Sequence, residues 1–516
     1  MKSTCQITAS DDGLHSHSDT PLPAEPTFSP QNAFQDEAFI HDGIAVPRGA
    51  PTNVNTPPAG SRLEKTVSHQ ITASGSFPAT SPGSVIHPRT PFRGFSDLGL
   101  GTTPALQDSP ETHISIPSPE EERYSVRVPR KVNISVDDSA VFDFYLEQTG
   151  VWLDIVSPDQ CFAQAVPRLA LSSPVLYYSC LAYAARALHL RGRNSRTRAD
   201  YYHGKAIGLL IPLLDSKAPM EILLATTVLL RMSEQFSEPE EDAQCHMNGA
   251  FSLFASSESQ WPPDRVDVQG VAFWIFVRQS LRICFLFEQE CRFDLSIVDS
   301  SKMLSPARDE VWTNRMTYLL AKVCSVCWTS LPSNASLEQQ LDALETEINS
   351  WRQALPETFK PWYYHHSQSE PFPTIRYLSR WHAIGWQQYY TAKTMLAVYR
   401  QKYQVQNTYH DINSYLNLYP TLQSKVLVPA RLTCGVVFSD KDIGSNINGA
   451  HLAYWCGQFF TGREEQRKML EWLKESMERV QWPNRTCIER LQKVWGRRSD
   501  KGDADRDDNV NSPPFV

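Results

Sequence analysis

The chain is 516 residues long, room for two to four domains or for one large helical body with a tail. Its net charge of −8 and pI near 6.0 exclude a general attraction for nucleic acid, so any DNA contact needs a local basic patch. The eleven cysteines are scattered, mostly within apolar stretches, as small hydrophobes are in a reducing compartment. No apolar segment follows Met1, and the longest apolar run, residues 271–277, is too short to span a bilayer. A soluble intracellular protein without a membrane partner is expected.

Residues 1–135 read as a Pro/Ser/Thr-rich arm. The first 130 residues hold 17 of the 36 prolines and none of the 13 tryptophans. Such a segment buries too little apolar surface to offset the entropy of ordering, so disorder is expected. Nine basic and fourteen acidic residues there argue against a nucleic-acid-binding arm. Arg127, Arg130 and Lys131 form its one small basic cluster, which reads as a solvated linker end rather than a nuclear-import signal.

From Val136 the pattern turns helical and stays so, giving a body over residues 136–497 and a charged, disordered tail over 498–516. Ser139 can cap a helix with Val141, Phe142, Tyr145 and Leu146 on one face. A second helix carries Leu176, Cys180, Leu181, Ala184 and Leu188, and a third Tyr202, Ala206, Leu209, Leu210 and Leu213. The four arginines between them, Arg191, Arg193, Arg196 and Arg198, fit a solvated loop better than a phosphate site, because nothing aromatic interleaves with the charges.

The centre is the stretch 215–254. Ile222 to Met232 place apolar side chains on nearly every side of a helix, the mark of a buried one. Ser216 can cap it, and Pro219 suits its first turn. An acidic loop over 237–242 leads to a second helix with Met247, Ala250, Phe251 and Phe254 on one face. Further helices are expected over 271–287, 311–328, 337–355, 374–403, 426–437, 443–460, 464–480 and 488–495, with a proline-rich loop at 356–373. No repeat of 20–50 residues and no sustained period-two alternation is visible, so the fold class is all-α without a regular solenoid.

Little chemistry accompanies this pattern. Cys324 and Cys327 form a lone C-x-x-C inside an apolar helix, short of the four ligands zinc needs, and Cys284 and Cys291 have no supporting neighbours in sequence. There is no P-loop, no G-x-S-x-G elbow and no H-E-x-x-H. Asp137, Asp138 and Asp143 miss the spacing of a magnesium-binding D-D-x-x-D. His246, His382 and His451 lie among apolar neighbours with no partner carboxylate or cysteine to name. No catalytic residue, cofactor or metal ligand is assigned, and no enzyme is expected. The exception is Arg278 and Arg282, one turn apart within an apolar helix. A buried charge needs a partner, so they mark either a structural ion pair or an anion or effector site.

The apolar run ending in Arg231–Glu234, the acidic loop, then His246, Gly249-Ala250 and Leu253 resemble the regulatory region of fungal zinc-cluster transcription factors. The resemblance continues through Phe273-Trp274, Val277-Arg278-Gln279, Trp312, Asn314-Arg315, Trp351, Ile375, Ala392 and Gln466 to Trp482-Pro483 and Trp495, over about residues 140–496. It implies a nuclear, pathway- or gene-cluster-specific transcriptional regulator working with other transcription factors or the transcriptional machinery, and it is compatible with a dimer. The family's zinc module needs six cysteines, and residues 1–130 hold only Cys5, so direct DNA binding by that module is not expected. The alternatives are a helical interaction or effector-binding module with no promoter role, and an all-α enzyme with an unrecognised site.

Overall fold

The computed structural model describes residues 132–216, 218–255, 261–329, 334–404 and 420–496. The expected disordered arm, apart from its last four residues, and the expected tail lie outside the described residues. Apart from one short hairpin, the described residues form an all-α body, as the periodicity requires.

In chain order the helices are α1 (Val136–Phe144), the five-residue α2 (Val166–Ala170), α3 (Pro174–Leu190), α4 (Arg196–Leu214), α5 (Met220–Glu234), α6 (Cys245–Ala255) and α7 (Val268–Phe287). There follow α8 (Asp309–Trp328), α9 (Asn334–Ala354), α10 (Arg380–Gln404), α11 (Pro420–Ser439), α12 (Ile443–Gly457), α13 (Arg463–Val480) and α14 (residues 485–496). α7 joins two groups of helices. On one side it packs on α5 and α6, which lead to α3 and α4; on the other it packs on α8 and α12, which carry α9, α10, α11 and α13.

Local chemistry sets the helix starts. The side chains of Ser135, Ser195, Asp267 and Asp442 each accept a hydrogen bond from a first-turn backbone N–H of α1, α4, α7 and α12. Ser139, expected to cap α1, instead lies within it and donates to the Val136 carbonyl at 2.7 Å. Ser216 does not cap α5 either; it donates to Leu213 at 2.9 Å, and Pro219 sits just before the first helical residue. α7 ends at Glu288 and α13 at Gln481, both left-handed, so the chain turns away sharply at each.

α5 is buried over every residue from Ile222 to Ser233, as its all-round apolar pattern predicts. α7, with its flanking residues added to the apolar run, has the length and composition of a membrane span. It is nevertheless a core helix, buried along almost its whole length by its neighbours. Phe254, Trp261, Phe273 and Phe293 close its outer end in mutual edge-on and stacked contacts, Trp261 lying parallel to Phe273 at 5.0 Å.

One part of the expected loop at 356–373 is different. Tyr363–His365 (β1) and Thr374–Arg376 (β2) pair antiparallel, with Tyr364 opposite Ile375. Three-residue strands are too short to show period-two alternation, so the pattern could not announce them. Ile375, expected inside a helix, lies in β2, where its N–H donates to Ser439 Oγ at 3.0 Å and ties the hairpin to α11.

The acidic loop between α5 and α6 is also more than a solvated connection. Glu238 accepts from the Thr486 N–H at 3.2 Å, and Glu240 accepts from Thr486 Oγ1 at 2.8 Å and from Arg490 at 2.5 Å. Two carboxylates thus hold the start of α14, where a helix presents free N–H groups and a partial positive charge.

Candidate functional site

The candidate site grows out of the α5–α6 hairpin. Arg231 is fully buried on α5. Its Nη1 donates to Asp242 Oδ1 at 2.5 Å and its Nη2 to Oδ2 at 2.7 Å, a bidentate pair across the acidic loop. Nη1 also reaches Glu234 Oε2 at 3.1 Å, and Glu234 Oε1 lies 2.8 Å from His246 Nδ1. His246 therefore has a carboxylate partner that its sequence context did not reveal. His382 has one too, Asp309, at 2.8 Å.

Burial alone would raise the Asp242 carboxyl, but the hydrogen bonds and charge of Arg231, with Arg282 behind, hold it below the usual carboxylate range. Glu234 is held down in the same way by His246 and Arg231 against its own burial. Both are therefore ionised at neutral pH.

Arg278 and Arg282 reach this network from α7, and they are treated differently. Arg282 Nη1 lies 3.6 Å from Asp242 Oδ2, and its guanidinium stacks over Trp482 at 5.3 Å. Arg282 thus has a carboxylate partner in Asp242. Arg278 Nη1 donates to the neutral amide of Asn314 at 3.3 Å, and among the described residues no carboxylate oxygen lies within 4.0 Å of its guanidinium. Burial lowers Arg278 to about 9; burial, then repulsion from Arg231, lowers Arg282 to about 10. Both keep their charge at neutral pH.

The two guanidiniums face a cavity of about 30 Å³ that is also lined by Gln235, Gln279, Asn448 and His451. α12 can close this space because Gly444 has no side chain. A Cβ there would lie 2.6 Å from the Trp152 carbonyl oxygen and 2.4 Å from Ile155. Gln235 and Gln279 hydrogen-bond each other. His451 is held neutral, lowered to about 3 by burial and then by Arg282. A second cavity, about 10 Å³, is also lined by Arg278, together with Asn314, Asp159 and Glu310. Its two carboxylates are taken by Arg308, at 3.8 and 2.6 Å.

The other sequence candidates are placed elsewhere. Asp137 and Asp138 pair with Arg198 at 3.3 and 3.7 Å rather than facing each other across a metal site. Arg191 lies over the rings of Phe144 and Trp152, each at 5.3 Å, so that loop is partly packed. Cys324 and Cys327 are buried in α8. Cys291 Sγ lies 3.3 Å from Ser280 Oγ, and Cys284 meets Cys291 and Cys324, neighbours that its sequence context did not show. Among the described residues no group of three or more His, Cys, Asp or Glu side chains could hold a metal ion.

Sequence reasoning missed Asp242, Gln235, Asn448, His451 and Trp482 as companions of the arginine pair. A buried cation in an apolar helix announces that partners exist, but those partners lie 36 to 204 residues away along the chain. Residues 140–281 match the family model for a fungal specific transcription factor domain, a span that takes in the α5–α6 hairpin and Arg278 and ends one residue before Arg282. No curated protein and no solved structure matches the chain.

Proposed function

We propose, from the fungal specific transcription factor domain that residues 140–281 carry, that this chain is a fungal transcriptional regulator whose helical body receives a signal rather than performing catalysis. The family match is the observation that carries this reading. It supports a regulator in general; the finer points are ours. We place the regulator in the nucleus, acting on a particular pathway or gene cluster. It reaches promoters together with other transcription factors or the transcriptional machinery. The buried Arg278–Arg282 pair is its proposed effector site.

The test uses the full chain with a fluorescent and an affinity tag, expressed from its own promoter. Nuclear signal and reproducible occupancy of a limited set of promoters, with expression changes at those genes on deletion, are expected. A protein confined to the cytoplasm and enriched at no promoter would overturn the reading in favour of a helical interaction module.

A further inference from the structure

Arg278 poses a specific problem in charge balance. It lies at 3% exposure, and among the described residues its one hydrogen bond goes to a neutral amide. Nearby carboxylates are already committed: Asp242 to Arg231 and Arg282, and Asp159 and Glu310 to Arg308. A buried cation without a counterion is costly, and proteins normally pair or neutralise it.

The cavity beside it has unused hydrogen-bonding capacity. Among the described residues, Arg282 Nη1, Asn448 Nδ2, Gln235 Oε1 and His451 Nδ1 are buried and find no hydrogen-bond partner. Two of these atoms are donors, and neutral imidazole supplies a third from Nδ1 in one of its tautomers. With the Arg278 guanidinium, they surround the space with positive charge and N–H groups. Its volume of about 30 Å³ compares with roughly 10–15 Å³ needed for one water. That leaves room for a compact group and none for a bulky effector.

We propose that this cavity binds one small oxyanion of carboxylate size, with Arg278 as its counterion, Arg282 and Asn448 as flanking donors and His451 donating from Nδ1. A free inorganic oxyanion and a short carboxylic acid share this chemistry. The site deepens the regulatory reading by naming its effector class, but its existence does not depend on promoter occupancy. Gln235, one of the lining residues, keeps an unused acceptor in Oε1, which favours a protonated or N–H-bearing neighbour on the ligand, a group bicarbonate can offer and nitrate cannot.

The test is thermal unfolding and titration calorimetry on the purified full chain. Sodium formate, acetate, bicarbonate, nitrate and phosphate are compared with sodium chloride at equal ionic strength. At least one of the oxyanions should raise Tm in a saturable, one-site manner beyond the chloride control. Arg278→Gln should abolish that response, and Asn448→Leu and His451→Phe should each weaken affinity at least tenfold, whereas Arg308→Gln should leave it unchanged. Formate and acetate acting alone would identify a carboxylate ligand; bicarbonate or nitrate acting alone would identify an inorganic one. The proposal fails if no oxyanion exceeds chloride in the wild type. It fails equally if folded Arg278→Gln keeps the wild-type affinity or, should that variant not fold, if Asn448→Leu and His451→Phe both do. Saturable binding without promoter occupancy would leave the site standing and remove the transcriptional reading, and the reverse result would do the opposite.

Discussion

Arg231 and Asp242, eleven residues apart, meet inside the protein as a two-bonded pair that closes the α5–α6 hairpin from within. Asp242 also faces Arg282 at 3.6 Å, so one carboxylate neutralises cations from two helices. Breaking a buried pair from one side leaves uncompensated charge. Asp242→Asn should therefore cost on the order of 3–5 kcal/mol in urea-induced unfolding. A loss below about 1 kcal/mol would show that water reaches Arg231 and that the pair lies effectively at the surface.

Leu229 has no exposed surface on α5 and tests the apolar core rather than its charges. Leu229→Ala removes buried methyl groups and leaves a void, at a cost of about 2–5 kcal/mol. Thermal and chemical denaturation should agree on that range. A near-neutral result would mean that α5 is not the packed centre.

Asp154 gives a pH signature. Its carboxylate accepts from the Phe162 and Ala163 N–H groups at 3.0 and 2.7 Å, yet burial outweighs them and raises it to about 7. The folded protein then holds a proton that the unfolded chain has already released, so this group makes stability fall as pH rises from about 4 to about 7. Above that window its contribution is flat. Subtracting the unfolding profile of Asp154→Asn from that of the wild type should isolate this slope. A difference that is flat, or that rises with pH, would mean the carboxylate is ionised throughout.

Thiol accessibility offers a check on the whole core. Among the described cysteines Cys245 is exposed, whereas Cys161, Cys180, Cys284, Cys291, Cys324, Cys327, Cys434, Cys456 and Cys487 are buried. Brief alkylation of the native protein followed by peptide mapping should label Cys245 and leave those nine until denaturant is added. Early labelling of Cys324 or Cys327 would contradict their place inside α8.

How far the sequence could be read follows from the range of the interactions involved. The burial of α5 was legible because eight apolar side chains between Ile222 and Met232 state it together, and the helical class because that periodicity recurs along the chain. The short β1–β2 hairpin was not, since three residues per strand carry no period. Arg278 and Arg282 stood out as charges in an apolar run, which is a local fact. Their surroundings were not legible: Asp242 is 40 residues from Arg282, and His451 and Trp482 come from far later in the chain. His246 shows the same limit at closer range, because its partner Glu234 sits across a loop whose path no local pattern specifies.

The clasp between the acidic loop and α14 has a consequence for how the molecule is made. Glu238 and Glu240 leave the ribosome almost 250 residues before Thr486 and Arg490, the groups they hold. At roughly 5–20 residues per second, that is an interval of roughly ten to fifty seconds. During it the nascent hairpin lacks the cover that its last-made neighbour provides. The clasp can therefore close only after α14 has been made, and the acidic loop keeps its charges in water until then.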